Sequence, residues 1–411
     1  MSSADVLIVG CGMQGATMGL CAARRGLKPL ILERDQPASG ATGNSFGIVH
    51  GGLRYLQSLE LARWSRSRQQ QRWFLDTFPA LVRPLACTMP LYRGRLRSPS
   101  LFKAAFLADR ALAALIGRHR SLPRDRVIRG GGFEGAEIVV QRGLLGAAVW
   151  HDATITGARA LVDAIMSQAG GGTNIIRAPL EVEGLILERG RLAGLRATDR
   201  TNGRQVAFAA PIVVLCAGAA SRVLAARLDR DEPRLSSAVL GFNLLLDLDA
   251  GLSSAMAVSP DPGRGRSYFL RPTPDGLLAG TYYLPRPNAA STEVPAQAIA
   301  EFLDELDRCI PDLKPSKTAI RKVMSGLLPD TDGTGRTLRS DDFFWDHGKT
   351  GGPQGLYTVL GTKLTTAQAL SDHAAGRIWP GRPVSDSTSA QQAFQRSGDT
   401  GVAREEAAHG G

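Results

Sequence analysis

Three glycines, Gly10, Gly12 and Gly15, follow the apolar residues 6–9, and an acid, Glu33, closes a second apolar run at residues 30–32. Residue types at this spacing suit the binding of a dinucleotide. Gly10 lets the chain turn sharply off a strand, Gly12 leaves room for a pyrophosphate against the backbone, and Gly15 lets a helix lie close on the sheet. The start of that helix presents N–H groups and a positive dipole end to the diphosphate. Glu33, eighteen positions beyond Gly15, can accept hydrogen bonds from a ribose diol, and its charge disfavours a 2′-phosphate. A second chemistry-bearing set comes soon after. Residues 37–55 are rich in Gly and Ser and close with His50, Arg54 and Tyr55. A loop able to approach a large ligand thus carries an imidazole, a cation and a phenol to the edge of that ligand's flat ring system.

These residues need a scaffold, and hydrophobic periodicity supplies one. After Gly15 the small residues Ala16, Gly19, Ala22 and Ala23 suit a helix lying flat on a sheet, with Gly26 at its C-cap. Helices are expected at 59–78, 157–169 and 296–310, a strand at 173–177 after the glycine break at 170–172, and a hairpin from 181–187 and 191–198 around Gly190. Residues 211–219 form an apolar run that ends at Ala217 and Gly218, where backbone can come near a bound dinucleotide without side-chain collision. Residues 226–324 change character, with alternating strands at 240–246, 268–271 and 276–283. Residues 355–367 read as a strand, a turn at Gly361 and a helix start near Thr365 or Thr366, a second positive helix end facing the ligand. The expected division is a discontinuous dinucleotide-binding domain (1–85, 143–225, 325–380), a substrate domain (86–142, 226–324) and a poorly ordered tail (381–411).

Composition narrows the partners. The 411 residues are 43% hydrophobic and 21% charged, enough for two domains with a sizeable core. No uninterrupted apolar run of about 18 residues occurs and the first strand starts almost at once, so a cytoplasmic protein is expected. The five cysteines, Cys11, Cys21, Cys87, Cys216 and Cys309, are scattered, which points to neither a disulfide framework nor a metal site. The net charge is +11. Its excess gathers at residues 93–129, where Arg93, Arg95, Arg97 and Lys103 precede or enter an apolar helical run at 101–116 and Arg118, Arg120, Arg124, Arg126 and Arg129 follow it. That profile fits a helix resting on an anionic membrane surface, or equally a helix packed on its own domain with a solvated basic face. With aromatic residues at 6% and no zinc-finger spacing, nucleic acid is not an expected partner.

With these pieces in order, the chain resembles the FAD-dependent glycerol-3-phosphate dehydrogenase family, within the D-amino-acid oxidase-like flavoproteins, over residues 5–379. The motifs are the glycine turn with Glu33, the string Ile48-Val-His-Gly-Gly-Leu-Arg-Tyr55, Ala217-Gly218, Ser325-Gly326 and Gly361-Thr-Lys-Leu-Thr-Thr366. The resemblance implies an α/β fold: a Rossmann-like FAD-binding domain of the glutathione-reductase-like, D-amino-acid oxidase type with an interleaved mixed-sheet substrate domain. It implies FAD held in extended form, with contacts falling on Gly10, Gly12, Met13, Gln14, Gly15, Glu33, Arg34, Thr42, Ser45, His50, Gly51, Gly52, Ala217, Gly218, Gly361, Lys363, Leu364 and Thr365. It further implies oxidation of a secondary alcohol by hydride transfer to flavin N5, with electrons passing to a quinone or to oxygen. Arg54 then fixes an anionic substrate, Tyr55 holds substrate or ring, and Lys363 stabilises negative charge on the reduced ring. His50 either takes the hydroxyl proton or is a structural histidine beside the ring, and Arg339 falls near a phosphate-binding arginine of the family.

Departures from the family are concentrated on the substrate side. Leu328 stands before Pro329 where the family has Arg, Leu240-Gly-Phe-Asn243 replaces Lys-Gly-Ser-His, and Gly280-Thr-Tyr-Tyr283 replaces Gly-Thr-Thr-Asp. The residues after 380 are not expected to form the family's C-terminal helical domain. Loss of one bidentate phosphate contact costs about 1.5–3 kcal/mol. Three readings follow: an alcohol dehydrogenase or oxidase acting on glycerol 3-phosphate or a related compound, an oxidoreductase of amines, amino acids or hydroxy acids, and a flavoprotein subunit that needs a partner.

Overall fold

The structure, a computed structural model, describes residues 2–93, 98–116, 121–170, 175–189, 191–229, 238–261, 266–286, 291–331, 334–339 and 341–385. Three sheets organise it. The first has six strands in the order Phe343–Asp346, Leu356–Leu360, Val213–Leu215, Val6–Val9, Pro29–Leu32 and Ile176–Arg177. All neighbours are parallel except the antiparallel edge strand Phe343–Asp346. Val6–Val9 lies near its centre, in register with Leu30 and Val213 through Leu7, and every residue of it is buried. A run apolar on both faces is what a parallel strand covered by helices requires.

Helix Met13–Ala23 covers one face of this sheet, with only Gln14 among its residues not buried. Helices Ala158–Gln168 and Ala367–Ile378 flank it. Between them Met18, Leu20, Leu161, Ile165, Met166 and Leu370 form one core. A smaller sheet on the other face, Ser2–Ser3, Gln205–Ala209, Arg191–Asp199 and Leu180–Glu188, closes a second core around Leu7, Leu195 and Leu215.

The largest sheet has nine strands and is antiparallel but for one parallel pair, Ala255–Val258 with Val82–Tyr92. Helix Ala296–Cys309 packs its Phe302 and Leu306 against Phe242 and Tyr268 of this sheet. Two stretches expected in the dinucleotide half, residues 144–155 and 325–329, pair within this sheet. Leu144–Ile155 pairs along its length with Val82–Tyr92, and Ile320–Pro329 pairs with Ala238–Leu246. Ile48–Val49 joins the edge of Leu144–Ile155, so the small-residue loop is anchored at one end by the first sheet and at the other by the largest.

The apolar run 211–219 forms a strand only over Val213–Leu215; Gly218–Ala220 then turns into helix Ser221–Leu228. The expected helix at 101–116 runs Pro99–Ile116 and packs on its own domain. Phe102, Ala105, Phe106 and Ala113 join a core with Trp64, Leu91 and Trp150, each buried phenyl ring contributing roughly 1.5–3 kcal/mol. Leu101 and Leu107 stay 40% and 62% exposed. Among the described residues no helix is long and apolar enough to cross a membrane. Arg95, Arg97, Arg118 and Arg120, residues 171–174, Gly190 and residues 386–411 of the expected tail lie outside the described residues. All five cysteines are buried, and burial pushes Cys11 and Cys21 up to about 12, which disfavours their thiolate forms.

Asp109, the one acid of helix Pro99–Ile116, faces inward, accepts a hydrogen bond from Trp64 Nε1 at 2.8 Å and pairs with the buried Arg68. Asp109→Ala leaves that guanidinium uncompensated, and the unfolding free energy from urea denaturation is expected to drop by about 3–5 kcal/mol. A loss below ~1 kcal/mol, the range of exposed pairs, would show that water reaches the site.

Candidate active site

The first strand, the first helix and the loop beyond Glu33 meet at a cleft. Gly10 has φ +100°, and a Cβ there would lie 2.9 Å from the Cys216 carbonyl oxygen, so the turn passes directly against the end of Val213–Leu215. A Cβ on Gly15 would lie 1.8 Å from the Gly10 carbonyl oxygen. Helix and strand are therefore in backbone contact. Glu33 holds the turn from the other side, its Oε2 accepting the Cys11 N–H at 2.6 Å and its Oε1 the Asp35 N–H at 2.9 Å. Thr42 Oγ1 accepts the Met13 N–H at 3.0 Å, which brings the small-residue loop onto the helix start.

A cavity of ≈ 310 Å³ follows this surface, lined by Gly10, Gly12, Met13, Gln14, Glu33, Arg34, Thr42, Ala217 and Gly218 among others. It shares Met13, Ala41, Thr42 and Gly326 with a second chamber of ≈ 550 Å³ that lies between the first and the largest sheet. Ser45, His50, Arg54, Tyr55, Arg339, Lys363, Leu364 and Thr365 line this chamber. Gly15, Gly51, Gly52 and Gly361 line neither cavity. Gly15 serves helix packing, the Gly51 N–H donates to Asp152 Oδ1 at 2.7 Å, and Gly52 (φ +86°) starts helix Leu53–Gln57 where a Cβ would lie 2.9 Å from the Ser67 Cβ. Gly361 leaves room for Gln14, whose amide donates to Ser371 Oγ at 2.7 Å and so ties the first helix to Ala367–Ile378. Thr366 occupies the N-cap position of that second helix, and Ala367 reaches the chamber wall.

One wall of the chamber is cationic. The Arg54 guanidinium and the Lys363 ammonium each sit 5.2 Å from the centroid of the buried Tyr55 ring. Arg54 is exposed, and among the described residues no carboxylate pairs with it. Arg339 differs. It is buried, its Nε donates to the Asp330 carbonyl at 3.1 Å, its guanidinium lies 4.8 Å from the Phe343 ring centroid, and Nη1 reaches Asp341 Oδ2 at 3.5 Å. Its carbonyl accepts Thr362 Oγ1 at 2.6 Å, so it braces the turn that presents Lys363. The opposite wall is neutral. Leu328, Thr281 and Tyr283 converge over Gly241, each with an atom 3.3 Å from where a Cβ of that glycine would lie.

His50 stands between the walls, its side chain 48% exposed and its ring 6.0 Å from that of Phe269. Its N–H donates to Thr365 Oγ1 at 3.1 Å, and its Nδ1 is 3.0 Å from Asp152 Oδ2. Asp152 is absent from the residues singled out by sequence. It is buried, and Trp150 Nε1 also donates to its Oδ2 at 3.1 Å. Burial pushes its carboxyl up, but the charge and hydrogen bond of His50, the Gly51 amide and the Trp150 indole together hold it below the usual carboxylate range. The available signal was the His151-Asp152 pair within the mainly apolar strand Leu144–Ile155.

Residues 5–377 match the pattern of the FAD dependent oxidoreductase (DAO) family. The chain belongs to that family. A glycerol-3-phosphate dehydrogenase of Synechocystis is 26% identical to the oxidoreductase over 399 residues, covering 91% of this chain and 70% of that protein. A glycerol-3-phosphate dehydrogenase of Mycobacterium leprae is 30% identical over 216 residues, 52% of this chain and 36% of the other. Among solved structures, the glycerol-3-phosphate dehydrogenase of Bacillus halodurans complexed with FAD superposes with a TM-score of 0.67 at 18% identity, covering 97% of this chain and 71% of that one. FAD is the cofactor of the oxidoreductase, and the cleft fits it. A glycine-walled turn that side chains would fill, an acid at its far edge and a chamber continuing past Thr42 provide room for an extended dinucleotide and its ring system.

Gly15→Ala forces the first helix off the strand and is expected to abolish FAD retention, read as flavin absorbance per mole of purified protein. Gly376→Ala, a helical glycine with nothing within 4 Å of its Cβ position, serves as the control and is expected to retain FAD. Full flavin content in Gly15→Ala would contradict the close packing.

Proposed function

We propose that the oxidoreductase oxidises the secondary alcohol of a small anion, with glycerol 3-phosphate the leading candidate. The observation that carries this reading is the pair of cations on Tyr55, Arg54 and Lys363, beside His50 in a chamber continuous with the dinucleotide cleft. Arg54 offers a planar, multiply donating partner for a phosphate or carboxylate. Lys363 contributes positive charge where electron density accumulates, and His50 offers a ring nitrogen to the hydroxyl proton. Gly10, Gly12, Glu33 and Thr42 would hold FAD, which would supply the two-electron acceptor for the alcohol's hydride. A quinone or oxygen is the final acceptor in this reading. The outer face of helix Pro99–Ile116, with Leu101, Lys103, Leu107 and Arg110 exposed, suits contact with an anionic membrane surface, where a quinone would be met.

A second reading keeps the flavin and changes the substrate to a hydroxy acid, amino acid or amine. The neutral corner of Leu328, Thr281 and Tyr283 favours it, because it suits an apolar substituent opposite a single anionic group. Arg54→Ala tests both readings at once. The KM for an anionic substrate is expected to rise ~10–100-fold, the equivalent of a lost charge-assisted hydrogen bond, with flavin content unchanged. An unchanged KM would exclude Arg54 as the anion's partner. Leu328→Arg separates them: improved use of glycerol 3-phosphate supports a phosphate seat at this corner, and a selective loss of carboxylate substrates supports the second reading.

A further inference from the structure

We propose that Asp152 is a positioning residue that fixes the His50 ring with Nδ1 protonated and Nε2 open toward the chamber. Three groups converge on its carboxylate: the Gly51 N–H at 2.7 Å on Oδ1, and Trp150 Nε1 at 3.1 Å and His50 Nδ1 at 3.0 Å on Oδ2. The amide and the indole can only donate, and an ionised carboxylate can only accept. His50 Nδ1 must therefore be the third donor. In the neutral imidazole, Nε2 then carries the lone pair. Among the described residues no protein partner engages Nε2, and the ring lines the chamber that Arg54 and Lys363 also line.

The position of the acid makes the arrangement rigid. Asp152 lies within Leu144–Ile155, with Cys87 and Leu85 of Val82–Tyr92 on the neighbouring strand, whereas His50 is on the loop just beyond Ile48–Val49. One carboxylate thus joins a fixed strand to both the ring and the backbone of the His-Gly-Gly turn. The role of Nε2 rests on the alcohol-oxidation reading: the substrate O–H bond breaks, an N–H bond forms at Nε2, and the accompanying hydride is accepted by the family's cofactor. The resulting imidazolium lies against a fixed anion. The tautomer itself does not depend on the substrate.

The test is long-range ¹H–¹⁵N correlation spectroscopy on the full FAD-loaded chain with labelled histidine, His50 being assigned by its loss in His50→Gln. Neutral His50 is expected as the Nδ1–H form in the wild type, and Asp152→Asn is expected to shift it toward the Nε2–H form. A wild-type Nε2–H form would overturn the proposal, and this measurement decides even where Asp152→Asn does not fold. A folded Asp152→Asn with an unchanged tautomer would also overturn it. With a working substrate, the same variant should slow flavin reduction ~10²–10⁴-fold, the usual span of a lost base, while substrate Kd moves less than about threefold. A tautomer found as expected with no substrate that reduces the flavin would leave Asp152 in its positioning role and refute the alcohol reading instead.

Discussion

The backbone contact between the first helix and the first strand is the constraint on which the rest of the site depends. With the Gly15 Cβ position only 1.8 Å from the Gly10 carbonyl, helix Met13–Ala23 can lie against the end of Val6–Val9 only because Gly15 carries no side chain. That contact sets the height of the helix start above the sheet, and hence where its amides meet a diphosphate. Thr42 takes one of those amides, which fixes the loop, and the loop's far end is stitched to the largest sheet through Ile48–Val49. The dinucleotide cleft and the neighbouring chamber are thereby held in one continuous space.

Within the chamber, polarity is divided between the walls. Tyr55 is a buried ring that both Arg54 and Lys363 approach, and among the described residues no carboxylate pairs with Arg54. The opposing corner, built from strands Ala238–Leu246, Gly276–Arg286 and Ile320–Pro329, presents Leu328, Thr281 and Tyr283. Arg54 thus lies on the short helix just beyond Ile48–Val49 of the largest sheet and Lys363 on the turn after Leu356–Leu360 of the first, whereas the neutral corner belongs wholly to the largest sheet. Family membership establishes FAD chemistry; the proposed substrate is what this second wall bears on.

The dinucleotide turn and several helices were legible because their signals are local. The glycine turn, Glu33 and the helices Leu61–Thr77, Ala158–Gln168 and Ala296–Cys309 follow from spacing and periodicity over short windows. What was not legible depends on contacts distant in sequence. Asp152 meets His50 across 102 positions, and no window around either residue contains the other. Residues 144–155 were grouped from sequence with the segment that follows them, and only their pairing with Val82–Tyr92 places them on the largest sheet. Arg339 shows the same limit in reverse: its position near the chamber was legible, whereas its engagement with Asp330, Asp341 and Phe343 needed the fold.

The most direct test of the central claim is anaerobic addition of glycerol 3-phosphate to the purified, FAD-loaded protein, followed by the visible absorbance of the flavin. The account predicts bleaching that saturates with substrate concentration and reverses on admitting an oxidant. Absorbance that stays unchanged at saturating glycerol 3-phosphate, in protein whose flavin a chemical reductant does bleach, would contradict it.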